Sequence, residues 1–455
     1  MQDQLHASPT QRPADAIGEV SVDDTASVQD YVVAMPPEIL AQSLGEYLRV
    51  WWLRVRSGDS GVLPVVIGMI AVAIVFEVTT PEHAFLRPSN LVYILDLSTI
   101  YMVLAMAEIV VLLLGEVDLS VGAVSLFGGI IAYKLVQEPV PALPWWLAIL
   151  AALAACGAIG AYQGILVSRL RFPSFVVTLA GFLLFSGVII LALGGADGSA
   201  GVSASIPNQS VIYNLVQGVI DPTPSWVAMA AVMGITAGAI WIRGSAKRRS
   251  GLAAPPATLT AIRIAVMMAI AIAVVAICNV NRANLGTIEG LPWVIPILLG
   301  VFASWTFLLQ RTRFGRYVYA IGGNPEAAAR AGINVAAVRT WAFVLCSVTA
   351  GIGGILLGSF FYGQYSTNIA DPGQLVLFAI ASAVIGGTSL FGGRGKPLHG
   401  ILGGLVMGGI AYGVSLLGLH PEWEYIVPGV VLVAAVIVDV LSRRGVATTG
   451  RSAGV

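Results

Sequence analysis

In a chain this apolar, the acids and hydroxyls near membrane depth are the first side chains to weigh. Asp118 lies in the run Gly115–Ala123, GEVDLSVGA, between two apolar segments. A carboxylate there is costly unless it is paired or wetted, so it is a functional candidate together with Ser120. It could equally cap the helix that follows, its carboxylate accepting backbone N–H groups, or serve a proton relay. Gly115 and Gly122 would permit a broken or tightly packed helix junction around it. A second polar site is the run GGTSLFGGRG, where Thr388 and Ser389 sit among glycines at a helix end. It is not a phosphate loop. Pro397 follows Gly395-Lys396 where Ser or Thr is needed, and the first glycine of the pattern would fall at Leu390. His6, His83, His399 and His420 are scattered, and Cys156, Cys278 and Cys346 all lie in apolar stretches. No metal set, cofactor site or catalytic cluster follows from them. Any energy from ATP must come from a separate subunit.

The most informative polar stretch is Arg311–Arg339, RTRFGRYVYAIGGNPEAAARAGINVAAVR. Asn324 suits a helix cap, Pro325 the first helical position, and Glu326 the positive end of the helix dipole. Arg330 falls four residues after Glu326, and Gly332 suits a left-handed stop. Ala327 and Ala328 give the helix a small-residue face. Such a helix, about seven residues long, is too short to stand alone in water. Two readings stay open: a docking element that fits a groove on another protein, with Arg316 and Arg330 beside it, or a plain surface helix joining two spans.

Composition supplies the setting. The chain is 57% hydrophobic and 11% charged, and carries 52 glycines. Soluble domains are typically about 25% charged. Apolar stretches at roughly 62–79, 98–114, 120–136, 145–166, 174–193, 225–242, 263–279, 292–309, 340–360, 373–389, 399–418 and 425–441 predict about twelve transmembrane helices. The fold class is an all-α polytopic membrane protein. Placing Arg443 and Arg444 in the cytoplasm and alternating backwards puts twenty Lys and Arg inside, against Arg87 and Arg282 outside. That bias predicts cytoplasmic termini.

The organisation expected is a disordered or amphipathic tail over 1–48, a transmembrane domain over 49–445 with its loop at 311–339, and a tail over 446–455. The segment 38–56, with Trp51 and Trp52 among arginines, reads either as a membrane-surface helix or as a linker. The segment 194–224 has no Lys or Arg and reads as the longest outer loop, free for a partner or packed over the helices. Zero formal net charge gives no pointer to nucleic acid.

GNPEAAARAGIN resembles the cytoplasmic coupling loop of ABC-importer permeases. GEVDLSVGA, FPSFVVTLAG (Phe172–Gly181) and IGGTSLFGGRGKPLHGILGG (Ile385–Gly404) resemble the ribose/xylose branch of sugar importers. The resemblance spans roughly Ser98–Arg444. The basic loop 243–263 and the C-terminal WEYIVPGVV run look most like the xylose-type permeases. One departure is Glu116, where the family commonly has a second glycine.

The resemblance implies a monosaccharide-importing permease subunit in the bacterial inner membrane, acting as a homodimer with an ATPase subunit and a periplasmic sugar-binding protein. Arg316, Asn324, Pro325, Glu326, Ala327, Ala328, Arg330 and Gly332 would couple to the ATPase. Ser174, Phe175 and Thr178 would approach the substrate path with Asp118, Ser120, Thr388 and Ser389, because sugars bind through hydroxyl hydrogen bonds and aromatic stacking. The competing class is an ion-gradient-driven secondary sugar transporter, which would need intramembrane charges and two similar halves. The spans read as nearly charge-free, and no duplicate of GEVDLSVG is visible.

Overall fold

The computed structural model describes residues 44–56, 61–137, 143–193, 204–206, 210–251, 254–283, 286–365, 371–420 and 422–449. The predicted tail over 1–43, parts of the outer loop at 194–203 and 207–209, and 450–455 lie outside the described residues. Among them the chain forms sixteen helices. Helix α1 (Leu44–Arg56) carries exposed Leu48, Trp52 and Leu53. An apolar face left bare beside arginines suits a bilayer surface. Then come α2 (Leu63–Thr79), α3 (Pro88–Leu113), α4 (Val121–Val136), α5 (Trp145–Ser168) and α6 (Ser174–Leu193). A four-residue α7 (Asn214–Gln217) precedes α8 (Pro222–Arg249), α9 (Ala257–Cys278) and α10 (Val294–Arg311). The polar stretch holds α11 (Arg313–Gly323) and α12 (Pro325–Arg330). The chain closes with α13 (Val335–Phe360), α14 (Pro372–Ile385), α15 (Pro397–Leu416) and α16 (Trp423–Thr449).

Eight of these helices are long and apolar enough to cross a membrane by length and composition. Shorter apolar helices lie at Leu63–Thr79, Val121–Val136, Pro372–Ile385 and Trp423–Ile437. Two ribbons of two-residue strands are the exceptions to an all-helical chain. In one, β1 (Ala204–Ser205) pairs antiparallel with β4 (Gln364–Tyr365); in the other, β2 (Val219–Ile220) pairs with β3 (Leu291–Pro292). The described part of the predicted outer loop is packed down: Val216 donates its N–H to Ser359 Oγ at 2.8 Å, and Gln217 Nε2 donates to the Phe360 carbonyl at 2.9 Å.

Several boundaries differ from expectation, among them α8, which runs to Arg249 rather than 242. Helix α3 begins at Pro88, ten residues before the apolar run at 98, because Pro at the first position sets the helix while Asn90 and Asp96 dilute its hydropathy. Helix α16 runs on to Thr449, past the expected boundary at 445.

Helix α3 is the axis of the fold. Every residue from Ser98 to Leu114 is buried by protein. Lipid tails offer no hydrophobic gain over a neighbouring helix, so close packing of small residues has to hold such a helix in place. Helix α15 supplies Gly400, Gly404 and Gly408 on one face. A Cβ added at Gly404 or at Gly408 would lie 2.8 Å from the Cα of Met102 or Ser98, respectively. Gly160 and Gly164 of α5 meet α13 in the same way, the latter 2.8 Å from Thr340 Cα.

Gly404→Val should therefore force α15 away from α3 and cost about 1–3 kcal/mol, the usual range for overpacking. Gly234→Val, where nothing lies within 4 Å, is the control. Equal melting temperatures for the two purified variants in detergent would refute this account of the packing.

Candidate functional site

The site grows from the break between α3 and α4. Gly115, at φ +74°, ends α3 in the left-handed region that suits glycine. Gly122 then lets α4 lie against α14: an added Cβ would sit 2.8 Å from Val376 N. The intervening residues fold inward and bring Asp118 into full burial. Asp118 donates its backbone N–H to Glu108 Oε1 at 3.0 Å. Its Oδ1 accepts from the N–H of Ser120 at 2.8 Å and from the Ser120 hydroxyl at 2.6 Å. Gln163 of α5 donates Nε2–H to Ser120 Oγ at 2.9 Å. Cys346 of α13 donates its thiol to Asp118 Oδ2 at 3.6 Å. The network thus joins α3, α4, α5 and α13 through side chains that are all fully buried.

The capping role considered for Asp118 is corrected by this geometry. Helix α4 starts at Val121 with Ser120 at the cap position and no side-chain cap bond. Asp118 closes a tight local turn onto Ser120 instead, because its second oxygen faces α13. The near absence of charge in the spans is corrected too. Glu108 is fully buried inside α3, with Oε2 lacking a hydrogen-bond partner, and Asp96 stands on the same helix.

Ser174 and Thr178 join this region. Thr178 is fully buried; its hydroxyl donates to the Ser174 carbonyl at 2.9 Å and reaches the Val117 carbonyl at 3.4 Å. Phe175 does not join them; it is 57% exposed and turned away from the polar network. Thr388 and Ser389 belong to a second cluster. Thr388 Oγ1 is 3.4 Å from His399 Nδ1, and Ser389 Oγ accepts from Phe391 N–H at 3.0 Å. That loop packs on the end of α3, where Gly393 donates N–H to the Leu113 carbonyl at 2.9 Å. Tyr319 of α11 reaches it as well, its hydroxyl donating to the Gly395 carbonyl at 2.7 Å. Burial of that phenol raises its pKa.

The polar stretch folds as its caps predict. Asn324 Oδ1 accepts from Ala327 N–H at 2.9 Å, Pro325 opens α12, and Gly332 stops it at φ +83°. Glu326 and Arg330 form an exposed ion pair at 3.6 Å. Of the short helix only Ala328 is buried; Pro325, Glu326, Ala327, Ala329 and Arg330 are exposed, as is Arg316 on α11. Helix α11 itself was not legible as a separate element, although its Thr312 cap, accepting from Gly315 N–H at 3.2 Å, is an ordinary signal.

One cleft of about 510 Å³ brings three of the motifs together. Its walls include Glu116 before the α4 junction, Arg171 and Ser174 before and at the start of α6, Pro325 and Glu326 of α12, and Arg339 of α13. Glu116 and Arg339 pair across it at 3.3 Å, with side chains 15% and 26% exposed. Arg171 holds φ +58°, uncommon for a residue other than glycine and a form of strain that gathers at functional positions. The acid that replaces the expected glycine at 116 is thereby tied to α13, the helix that follows α12.

A family described as "Branched-chain amino acid transport system / permease component" matches residues 90–436. The chain is 33% identical over 392 residues to the xylose transport system permease protein XylH of Escherichia coli, covering 86% of this chain and 94% of that one. It is 31% identical to XylH of Haemophilus influenzae over 396 residues, or 84% and 97% of the two chains. The ribose import permease protein RbsC of Escherichia coli is 28% identical over 362 residues, or 80% and 89%. No solved structure matches.

The Glu116–Arg339 pair makes a measurable expectation. Glu116→Gln and Arg339→Gln should each lower the melting temperature, and the double variant should cost less than their sum by about 1 kcal/mol. Strict additivity in that cycle would show the pair contributes nothing.

Proposed function

The chain belongs to the family of permease components of branched-chain amino acid transport systems, and on that premise we propose that it is the membrane subunit of an ATP-driven importer for a monosaccharide, a pentose such as xylose. The names of the xylose and ribose relatives support the substrate class. The chain provides the passage, while hydrolysis resides on a separate ATPase subunit. A periplasmic sugar-binding protein delivers the sugar, and two copies of the chain form the pathway in the bacterial inner membrane. The eight long and four shorter apolar helices then act as twelve crossings, with both termini cytoplasmic as the arginine bias favours.

The observation that carries this reading is the cleft in which α12, the start of α6 and the α3–α4 junction meet. Helix α12 and the exposed Arg316 offer the ATPase a docking face. Movement of that face reaches Arg339 through the few residues after Gly332, and Arg339 holds Glu116. Glu116 lies two residues from Asp118, whose network ties α3, α5 and the start of α4 to the middle of α13. ATP binding and hydrolysis would shift the population between inward- and outward-open arrangements through this connection. Ser174 and Thr178 beside the network are the polar groups placed to line the inner end of the path, and Thr388 and Ser389 sit at the second junction.

Glu108 and Asp96 on α3 favour the gradient-driven alternative, since buried intramembrane acids mark ion pathways. Vesicles decide between the two. Uptake should require ATP, the ATPase subunit and the sugar-loaded binding protein; uptake by this chain alone on a proton or sodium gradient would reject the importer reading.

The coupling role has its own test. Gly332→Val strains the left-handed stop and Glu326→Lys reverses the charge at the start of α12. Each should lower ATP-dependent uptake about tenfold, within the range of linked-site coupling, while the chain remains inserted. Normal uptake and normal ATPase stimulation in both variants would remove α12 from the coupling mechanism.

A further inference from the structure

The outer end of α3 breaks the rule that its inner part obeys. Below Ser98 the helix is sealed by protein, yet Tyr93, one turn and a half earlier, is 41% exposed. Its ring stands 4.7 Å from Tyr412 and 5.2 Å from Phe360, between centroids. Tyr412 is held in place by its hydroxyl, which donates to Asn90 Oδ1 at 2.8 Å. Tyr362 lies close enough to Tyr93 to interact electrostatically with it and is 62% exposed. It also holds φ +54°, a conformation that costs energy in any residue bearing a Cβ.

Asp96 follows Tyr93 by three residues, on the same side of the helix. Its Oδ1 is buried and has no hydrogen-bond partner. Arg282 acts on it electrostatically but forms no ion pair with it; that guanidinium is spent on the carbonyls of Cys278 and Gly290. A carboxyl oxygen buried in a spanning helix without a partner leaves an acceptor that a donor from water or a ligand would satisfy. An acceptor oxygen beside a cluster of phenol rings matches one ligand class closely. Sugar hydroxyls donate to a carboxylate, and the C–H face of the ring lies on an aromatic surface.

We propose that Tyr93, Asp96, Tyr362 and Tyr412 form an outward-facing receiving site for a neutral monosaccharide, where sugar released by the delivery protein first meets this chain. The site rests on the importer reading for its sidedness and its sugar. An amino acid would also find a partner for its ammonium in Asp96, but the arginine that could take its carboxylate is already engaged. The site is therefore selective for hydroxyls.

Saturation-transfer NMR on the full chain in lipid nanodiscs tests this without any ATPase. Excess xylose should show transfer to its ring C–H protons, and leucine should show none. Tyr93→Ala removes the platform. Asp96→Asn keeps the shape but loses the charge, and each should weaken binding about tenfold, the loss expected for a hydrogen bond to a charged group. Asp96→Asn should melt like the parent chain, which separates lost binding from lost fold. No transfer from xylose to the parent chain, unchanged transfer in both variants, or transfer from leucine in place of xylose would each overturn the site. Lost transfer in the variants, combined with parent vesicles that take up no sugar with ATP, would instead overturn the importer reading and leave the site standing.

Discussion

Enclosing one helix on all sides is the constraint from which the other features follow. Within hydrocarbon, helices gain little by hiding apolar side chains from lipid, so their association depends on how closely backbones approach. The glycines of α15 set that approach against α3, and those of α5 set it against α13. Once α3 is wrapped in protein, it can carry acids that a lipid-facing helix could not. Glu108 is solvated by the chain itself, through the backbone N–H of Asp118. The packing of small residues is thus what makes the polar interior possible.

The acids along this axis are satisfied to different degrees, and the order has meaning. Asp96, near the N-terminal end of α3, keeps a free oxygen; Glu108 has one oxygen bonded and one bare; Glu116, just past the C-terminal end, is paired with Arg339. From Asp96 to Glu108 the helix rises about 18 Å at ~1.5 Å per residue. A helix buried from Ser98 to Leu114 is a stiff connection, because packed interiors resist continuous deformation and move between discrete arrangements. A tilt imposed at the inner cleft through Glu116 would therefore appear at Tyr93 and Asp96. Helix α3 thus runs from Tyr93 and Asp96 near one end to the Glu116–Arg339 contact just past the other.

Local signals made some of this legible from residues alone. Asn324, Pro325 and Gly332 specify α12 almost to the residue, since caps and stops act over a few positions and need no tertiary partner. Gly115 and Gly122 likewise marked a junction that the fold does contain. What stayed hidden depends on partners distant in the chain. Gln163 reads as an ordinary polar residue within an apolar run, and only packing brings it to Ser120, 43 residues earlier. Arg339 reads as one of several loop cations until the fold sets it opposite Glu116. Glu108 escaped notice because a single acid hardly alters the hydropathy of its span. Phe175 shares a motif with Ser174 and Thr178, but its ring is exposed and does not join the network. Short-range spacing cannot reveal which way a side chain faces once neighbouring helices set the rotation.

The attachment of α12 explains how one element can both report and respond. Its internal geometry is rigid, with a cap at one end and a left-handed stop at the other. Its hold on the rest of the chain is slight: Ala328 alone is buried, and the Glu326–Arg330 pair is exposed, where such pairs contribute little. A helix held this way keeps its shape while its position is set by whatever covers its open face. The partly buried Glu116–Arg339 contact beside it is stronger, and it binds to the axis rather than to α12. Arg339, near the start of α13, ties that helix through Glu116 to the junction where four helices are joined around Asp118.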